Sequence, residues 1–97
     1  LNAWWTGAEL EYGLADSGAI LLVADAERWV RIAPHLGALP ALAHVLVGRG
    51  GDCSLEAAIG APDSWSALPD LPTPAPFLGP EDDATIFYTS GTTGRPK

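Results

Sequence analysis

The sequence predicts an α/β fold, specifically a partial parallel-sheet subdomain with flanking helices. Segments with helical spacing alternate with short apolar runs along residues 7–47, which is the order that builds parallel sheets. The apolar run 19–24 carries no polar residue, as in a strand that is buried on both faces, and 43–47 is a second apolar run of strand length. A third apolar run, 84–88, follows later in the chain.

The first helix is predicted over residues 7–17. Thr6 and Glu9 have the spacing of a capping box, in which the hydroxyl accepts from one amide while the carboxylate reaches back to another. Leu10 and Leu14 then recur at helical spacing. Gly18 suits the left-handed position that ends many helices, so the helix is expected to stop there.

A strand at 19–24, a second helix and a strand at 43–47 are predicted to follow. Asp25 is placed to cap the second helix, which presents Trp29, Ile32 and Ala33 on one face. Pro34 lacks an amide hydrogen and clashes with the preceding turn, so it is expected to end or kink this helix.

The remainder of the chain is predicted to contain a loop at 49–53, a short helix at 54–59 capped by Ser54, and a connection at 62–80. The connection holds six of the nine prolines and is expected to be extended, lying along the body through its apolar side chains. The domain organisation is thus a single partial α/β domain. It consists of helix–strand units at 1–61, the proline-rich connection at 62–80, and a strand with its following loop at 81–97.

Composition and charge argue against several classes of partner. The net charge is −7 with a pI near 4.4, which disfavours nucleic acid and anionic membrane surfaces. The longest apolar runs are too short for a transmembrane segment. His35 and His44 have no ligand-spaced partners, so no metal ligand is predicted. The single cysteine, Cys53, favours a cytoplasmic location. The sequence does not indicate an oligomeric state.

The last nine residues, 89–97, carry the chemistry expected of a site for polyphosphate. Gly91 and Gly94 allow the backbone to turn and to bring its N–H groups close to a ligand. Hydroxyl donors to phosphate oxygens are available from Thr89, Ser90, Thr92 and Thr93. Lys97 adds positive charge, and Arg95 and Lys97 together are two of only five Lys and Arg residues in the chain. We call residues 89–97 the phosphate loop.

The phosphate loop differs from the common nucleotide-binding motifs. A Walker A loop requires Gly-Lys followed by Ser or Thr, whereas Gly94 is followed by Arg-Pro-Lys. The chain contains no G-x-G-x-x-G pattern, so a Rossmann dinucleotide site is not predicted. The alternative of a solvated Ser/Thr/Gly turn stays open on composition alone.

Residues 88–97, Tyr-Thr-Ser-Gly-Thr-Thr-Gly-Arg-Pro-Lys, resemble the phosphate-binding loop of the adenylate-forming superfamily of AMP-dependent synthetases and ligases. Residues 1–18 resemble the segment upstream of that loop in fatty acyl-CoA synthetases, and Asp82-Asp83 also fits the family pattern. The resemblance implies an internal, N-terminal fragment of a longer enzyme, belonging to its large N-terminal domain.

The resemblance implies that the parent enzyme activates a carboxylate, expected to be a fatty acid, with ATP and Mg²⁺ and transfers the acyl group to coenzyme A. Thr89, Ser90, Gly91, Thr92, Thr93, Gly94 and Lys97 are the expected nucleotide-binding residues. In the family the catalytic, magnesium-binding and acyl-pocket residues lie downstream of this loop. None is therefore assigned here, and the chain alone is expected to be inactive.

Two alternatives remain. One is an adenylation domain of a nonribosomal peptide synthetase, although Thr92-Thr93 and residues 2–5 favour the acyl-CoA synthetase. The other is a noncatalytic α/β interaction module that carries a Ser/Thr/Gly turn.

Overall fold

The computed structural model describes residues 1–50, 54–67, 69–72 and 75–89. A 3₁₀ helix at Ala33–Ala38 follows the second α-helix directly. The other elements are, in chain order, α1 (Gly7–Ser17), β1 (Leu21–Asp25), α2 (Ala26–Ile32), β2 (His44–Gly48), α3 (Ser54–Ile59) and α4 (Pro62–Trp65). The α/β fold class predicted from the sequence is confirmed. Within these described ranges, no helix combines the length and apolar character needed to cross a bilayer.

Helix α1 has the predicted bounds because both of its ends are fixed locally. The Thr6 hydroxyl accepts from the Glu9 N–H at 3.4 Å, and Glu9 Oε2 accepts from the Thr6 N–H at 2.8 Å. Gly18 adopts φ 65°, and its N–H bonds back to carbonyl groups of the last turn. The capping box and the glycine stop are therefore both present.

The two strands form a parallel pair, with Leu21 opposite His44 and Asp25 opposite Gly48. Helix α2 connects them, as expected for a strand–helix–strand unit. The prediction that the first strand is buried on both faces is wrong, because Leu21 is 48% and Val23 is 54% exposed. Leu22, on the opposite face, packs against the core, so helices cover one side of this strand only.

Helix α2 begins at the predicted cap. Asp25 Oδ1 accepts from the Arg28 N–H at 2.9 Å. The α-helix ends at Ile32, and the chain continues as the 3₁₀ helix with Pro34 near its start. Pro34 thus ends the α-helix as predicted, since the tighter turn tolerates a proline in its first positions.

The core lies between α1, α2 and the inner face of the sheet. Ile32 is 1% exposed and is the most buried large side chain among the described residues. The cluster around it consists of Trp5, Leu10, Leu14 and Leu39, with Leu22, Trp29 and Tyr88 partly buried against it. The two arginines of α2 secure the N-terminal segment over this core, because Arg28 and Arg31 both donate to the Ala3 carbonyl oxygen.

Three local expectations for the second half of the chain are wrong. Ser54 is the first residue of α3, and its hydroxyl accepts from the Val47 N–H at 2.7 Å, so it is bonded to β2. Pro62 starts a short helix, Pro62–Trp65, where an extended connection was expected; a proline in the first turn needs no amide partner. The apolar side chains Leu71, Phe77 and Leu78 are exposed and do not lie against the body.

The predicted strand at 84–88 is absent from the sheet, which consists of β1 and β2 among the described residues. Its apolar residues Ile86 and Phe87 are 63% and 85% exposed. An isolated apolar run has no neighbouring strand to pair with its backbone groups, so β propensity alone does not make it a strand. The boundaries proposed for the three parts of the chain remain predictions.

Candidate functional site

One of the seven nucleotide-binding residues predicted from the sequence lies within the described part of the chain. Thr89 is exposed and follows Tyr88 directly. The other six, Ser90, Gly91, Thr92, Thr93, Gly94 and Lys97, lie outside the described residues. The structure therefore describes the base of the phosphate loop, and the assignment of the loop residues remains a prediction.

The base of the phosphate loop is attached to α1 through Tyr88. The Tyr88 hydroxyl donates to Asp16 Oδ2 at 2.9 Å and lies 3.3 Å from the Gly13 carbonyl oxygen. The ring packs edge-on against Trp5, with centroids 5.7 Å apart and planes at 73°. This geometry is favourable for an aromatic pair. Tyr88 thus has two hydrogen-bond acceptors on α1 and packs against one aromatic ring of the core.

Desolvation raises the pKa of the Tyr88 hydroxyl above its ordinary value of 10.0, and the nearby Asp16 carboxylate raises it further. A negative charge on the phenol is disfavoured by both effects. The hydroxyl consequently stays protonated through neutral pH and keeps its proton for the bond to Asp16.

Gly13 permits the close packing on which this arrangement depends. A Cβ atom at Gly13 would lie 2.8 Å from ring atom Cζ3 of Trp5 and 2.8 Å from Cδ2 of Leu1. Real side chains do not approach so closely, so Trp5 occupies its place only because residue 13 lacks a side chain. Trp5 in turn provides the surface that contacts Tyr88.

A largely apolar groove of about 480 Å³ lies beside Tyr88. Its walls are formed by the N-terminal segment, α1, β1 and the run before the phosphate loop, through residues that include Leu1, Leu14, Leu22, Ile86 and Tyr88. Arg28 is also among the lining residues. The lining also includes the Asp25 carboxylate, and Arg28 is paired with Asp25 and Glu27, so the groove is a poor match for the polyphosphate site that the sequence predicts.

The arginines of α2 are engaged in ion pairs. Arg28 Nη1 lies 2.9 Å from Asp25 Oδ2 and 2.9 Å from Glu27 Oε2. Arg31 pairs with Glu27 and also donates to the Trp5 carbonyl oxygen. Their charges are neutralised locally, so they are poor candidates for holding phosphate.

The described residues contain no group of three or more His, Cys, Asp and Glu side chains that can hold a metal ion. Asp16 is bonded to Tyr88, and Asp25 is bonded to Arg28. No Mg²⁺ ligand is therefore assigned in this part of the chain.

Sequence reasoning missed the link between Tyr88 and α1. Tyr88 was recognised as the first residue of the motif, but Asp16 lies 72 residues earlier in an ordinary acidic helix. No spacing rule connects two such positions. A tyrosine at the end of an apolar run, whose hydroxyl needs a partner when half-buried, was the one available signal.

Comparison with known proteins identifies the family. The profile of the family described as "AMP-binding enzyme" matches residues 1–97. The chain belongs to this family. Its resemblance to the adenylate-forming superfamily is thereby confirmed over the whole length of the chain.

Curated proteins align along most or all of the chain. It is 34% identical to a benzoate–CoA ligase of Thauera aromatica and 38% identical to the medium-chain acyl-CoA ligase Mig of Mycobacterium avium, both over 100% of the chain. It is 33% identical to an acetyl-coenzyme A synthetase of Nostoc linckia over 87% of the chain. No solved structure gives a significant match.

The chain spans only a small part of these relatives. The aligned regions cover 17% of the Thauera protein, 18% of the Mycobacterium protein and 28% of the Nostoc protein. Family membership is established for this segment, whereas the activity of a whole protein containing it has to be argued separately.

Proposed function

We propose that this chain is part of an AMP-forming acid–thiol ligase, an acyl-CoA synthetase whose substrate is a fatty acid. We refer to the longer protein as the parent enzyme. The observation that carries the proposal is the phosphate loop within a chain that matches the AMP-binding enzyme family throughout. The names of the three relatives, which all specify coenzyme A ligation, support the thiol acceptor.

The proposed reaction has two steps. A carboxylate oxygen attacks the α-phosphorus of ATP, the bond to the bridging oxygen of the β-phosphate breaks, and pyrophosphate leaves. The thiol sulfur of coenzyme A then attacks the acyl carbon of the adenylate. AMP leaves with the former carboxylate oxygen that joined the acyl carbon to the α-phosphorus, and the thiol proton is released.

The phosphate loop would act by electrostatic stabilisation in the first step. Backbone N–H groups at Gly91 and Gly94, and the hydroxyls of Thr89, Ser90, Thr92 and Thr93, would bind the β- and γ-phosphates. Lys97 would offset the negative charge that builds on the departing pyrophosphate. Mg²⁺, when bound, would neutralise phosphate charge, and its ligands are expected outside the described residues.

The acyl substrate is the finer part of the proposal. The printed names of the relatives include benzoate, a medium-chain acyl group and an acetyl group, so carboxylates of different size are activated within the family. We propose a fatty acid because the segment at 1–18 resembles fatty acyl-CoA synthetases. The use of ATP and coenzyme A, together with the single cysteine, favours a cytoplasmic location for the parent enzyme.

The test is carboxylate-dependent exchange of radiolabelled pyrophosphate into ATP by the parent enzyme, followed by thioester formation with coenzyme A. Fatty acids of increasing length, benzoate and acetate form the substrate series, and amino acids test the peptide-synthetase alternative. We expect exchange with fatty acids and a coenzyme A thioester as the product. Exchange with amino acids alone, or with no acid at all, would contradict the proposal.

The role of the phosphate loop is tested by replacing Thr92, Thr93 and Lys97 together with alanine in the parent enzyme. Loss of several preorganised donors is expected to slow exchange by at least about 10²-fold. Thr85→Ala is a matched control because Thr85 is exposed and precedes the loop. Exchange at the wild-type rate in the triple variant would exclude the loop as the phosphate site.

A further inference from the structure

Tyr88 attaches the described segment 75–89 to α1 and to the core. Every described residue of this segment is exposed except Tyr88, which is half-buried. Phe87, the neighbouring aromatic residue, is 85% exposed. Tyr88 therefore provides the half-buried side chain next to the point where the phosphate loop begins.

The contacts of Tyr88 are directional. A phenol has one proton to donate, and the carboxylate of Asp16 at 2.9 Å is the stronger of its two acceptors because it is charged. The Gly13 carbonyl at 3.3 Å lies on the same helix. The ring rests edge-on against Trp5, which is 7% exposed, so rotation of the side chain away from α1 would lose both kinds of contact.

The helix that receives these contacts is itself fixed. Leu10 and Leu14 bury one face of α1 in the core, at 5% and 4% exposure. The capping box and Gly18 fix its two ends. Asp16 lies in the last turn of α1 and is exposed, so its carboxylate is available to the loop segment without being required by the core.

We propose that Tyr88 is a positioning residue that fixes the start of the phosphate loop on α1 through its hydrogen bond to Asp16. The inference rests on the proposed function, because it concerns how that loop is presented to ATP. A loop fixed at its base has fewer conformations to lose when it binds the phosphates of ATP. In the proposed reaction the loop binds the phosphates of ATP, so the effect is expected on ATP and not on coenzyme A.

The prediction is a selective change in the KM for ATP. In the parent enzyme, Tyr88→Phe keeps the ring on Trp5 and removes only the hydroxyl, and Asp16→Ala removes the acceptor from an exposed position. Each is expected to raise the KM for ATP about 3- to 10-fold, in line with the loss of one charge-assisted hydrogen bond. The KM for coenzyme A and the midpoint of thermal unfolding are expected to stay near wild type.

The double variant tests whether the two residues act as one unit. Tyr88→Phe with Asp16→Ala is expected to raise the KM for ATP no more than the larger of the two single effects. Asp63→Ala is the matched control for Asp16→Ala, because Asp63 is an exposed carboxylate on α4 and is not among the groups that perturb Tyr88. Its KM for ATP is expected to equal that of wild type.

Two results would overturn this inference and leave the proposed function intact. One is a KM for ATP within twofold of wild type in an active Tyr88→Phe enzyme. The other is a double variant whose effect equals the product of the two single effects. Absence of ATP–pyrophosphate exchange in the wild-type parent enzyme would instead overturn the proposed function, and the inference with it.

Discussion

Glu11 Oε2 lies 2.5 Å from His35 Nδ1 and joins the middle of α1 to the 3₁₀ helix. Both side chains are partly exposed. The other ring nitrogen of His35 faces Gly7 at the start of α1. His35 therefore contacts α1 at two successive turns, and the packing of these two helices depends on a glycine.

Gly7→Ala is expected to loosen this contact. An added Cβ would collide with the Arg31 carbonyl oxygen and would lie 2.5 Å from His35 Nε2, so α1 and α2 must move apart. We expect a destabilisation of about 1–3 kcal/mol, typical of overpacking. The measurement is hydrogen exchange over 7–17 and 26–38 in the parent enzyme. Gly37→Ala is the control, since no atom lies within 4 Å of the added Cβ; equal exchange in both variants would contradict the prediction.

Thr6→Ala is expected to weaken α1 from its N-terminus. The substitution removes the hydroxyl that accepts from the Glu9 N–H. Loss of such a cap costs about 1 kcal/mol. Faster hydrogen exchange in the first turn of α1, with unchanged exchange in α3, would show it. Thr85→Ala changes a threonine outside any helix or strand and provides the control. Exchange of α1 that is as slow as in wild type would exclude a capping role.

Asp25→Asn is expected to change how the stability of α2 depends on pH. The bond from the Arg28 N–H, aided by the Arg28 guanidinium, holds the pKa of Asp25 below its ordinary value of 3.8. Because the pKa is lower in the folded state, the carboxylate stabilises α2 fully above its unfolded pKa. That contribution is lost as the pH falls through the folded pKa.

Asparagine retains the capping geometry and removes the charge, so it isolates this effect. We expect α2 to open more readily in Asp25→Asn than in wild type at pH 6, with the difference shrinking below about pH 4. Hydrogen exchange of residues 26–32, corrected for the intrinsic pH dependence, measures it. A difference that is equally large at pH 6 and below the folded pKa would show that the charge is not responsible.

The isolated 97-residue chain is expected to self-associate. Ile20, Val30 and Phe87 are 66%, 71% and 85% exposed, and exposed apolar surface of this kind favours association. Val30→Lys combined with Phe87→Lys is expected to reduce the sedimentation coefficient toward that of a monomer. Ala57→Lys adds a charge at an exposed position without removing a large apolar group. A cooperatively melting monomer of the unmodified chain would contradict the prediction.

The isolated chain is also expected to release no pyrophosphate from ATP. Within the described residues there is no cluster of metal-binding side chains, and Arg28 and Arg31 are occupied by internal ion pairs. A coupled pyrophosphate assay with fatty acid and coenzyme A should remain at background. Turnover above that of a Lys97→Ala chain would show that this segment is catalytically sufficient.

Local rules predicted the first half of the chain well because its elements begin and end through short-range interactions. The bounds of α1 follow from Thr6, Glu9 and Gly18, all within or next to the helix. The start of α2 follows from Asp25, and its end from Pro34. In each case the donor and acceptor are a few residues apart, so the sequence already specifies the contact.

The candidate site was predicted only in part, because it combines a local motif with a contact between residues that are far apart in the sequence. The residue types of the phosphate loop are visible in the sequence, and the family match supports their interpretation. The means by which the loop is attached is not visible, because Tyr88 and Asp16 meet across 72 residues. Ser54 provides a similar case. Its residue type suits a helix cap, but its hydroxyl instead accepts a hydrogen bond from the Val47 N–H of β2.

By itself the sequence determined the helix caps, the alternation of helices and strands, and the polyphosphate chemistry of residues 89–97, because these depend on side-chain type and short spacing. Tertiary structure alone decided that Tyr88 rests on Trp5 and Asp16, that one face of β1 is uncovered, and that 84–88 forms no strand. Those outcomes depend on which distant surfaces are present to provide a hydrogen-bond partner or to exclude water, and no local pattern contains that information.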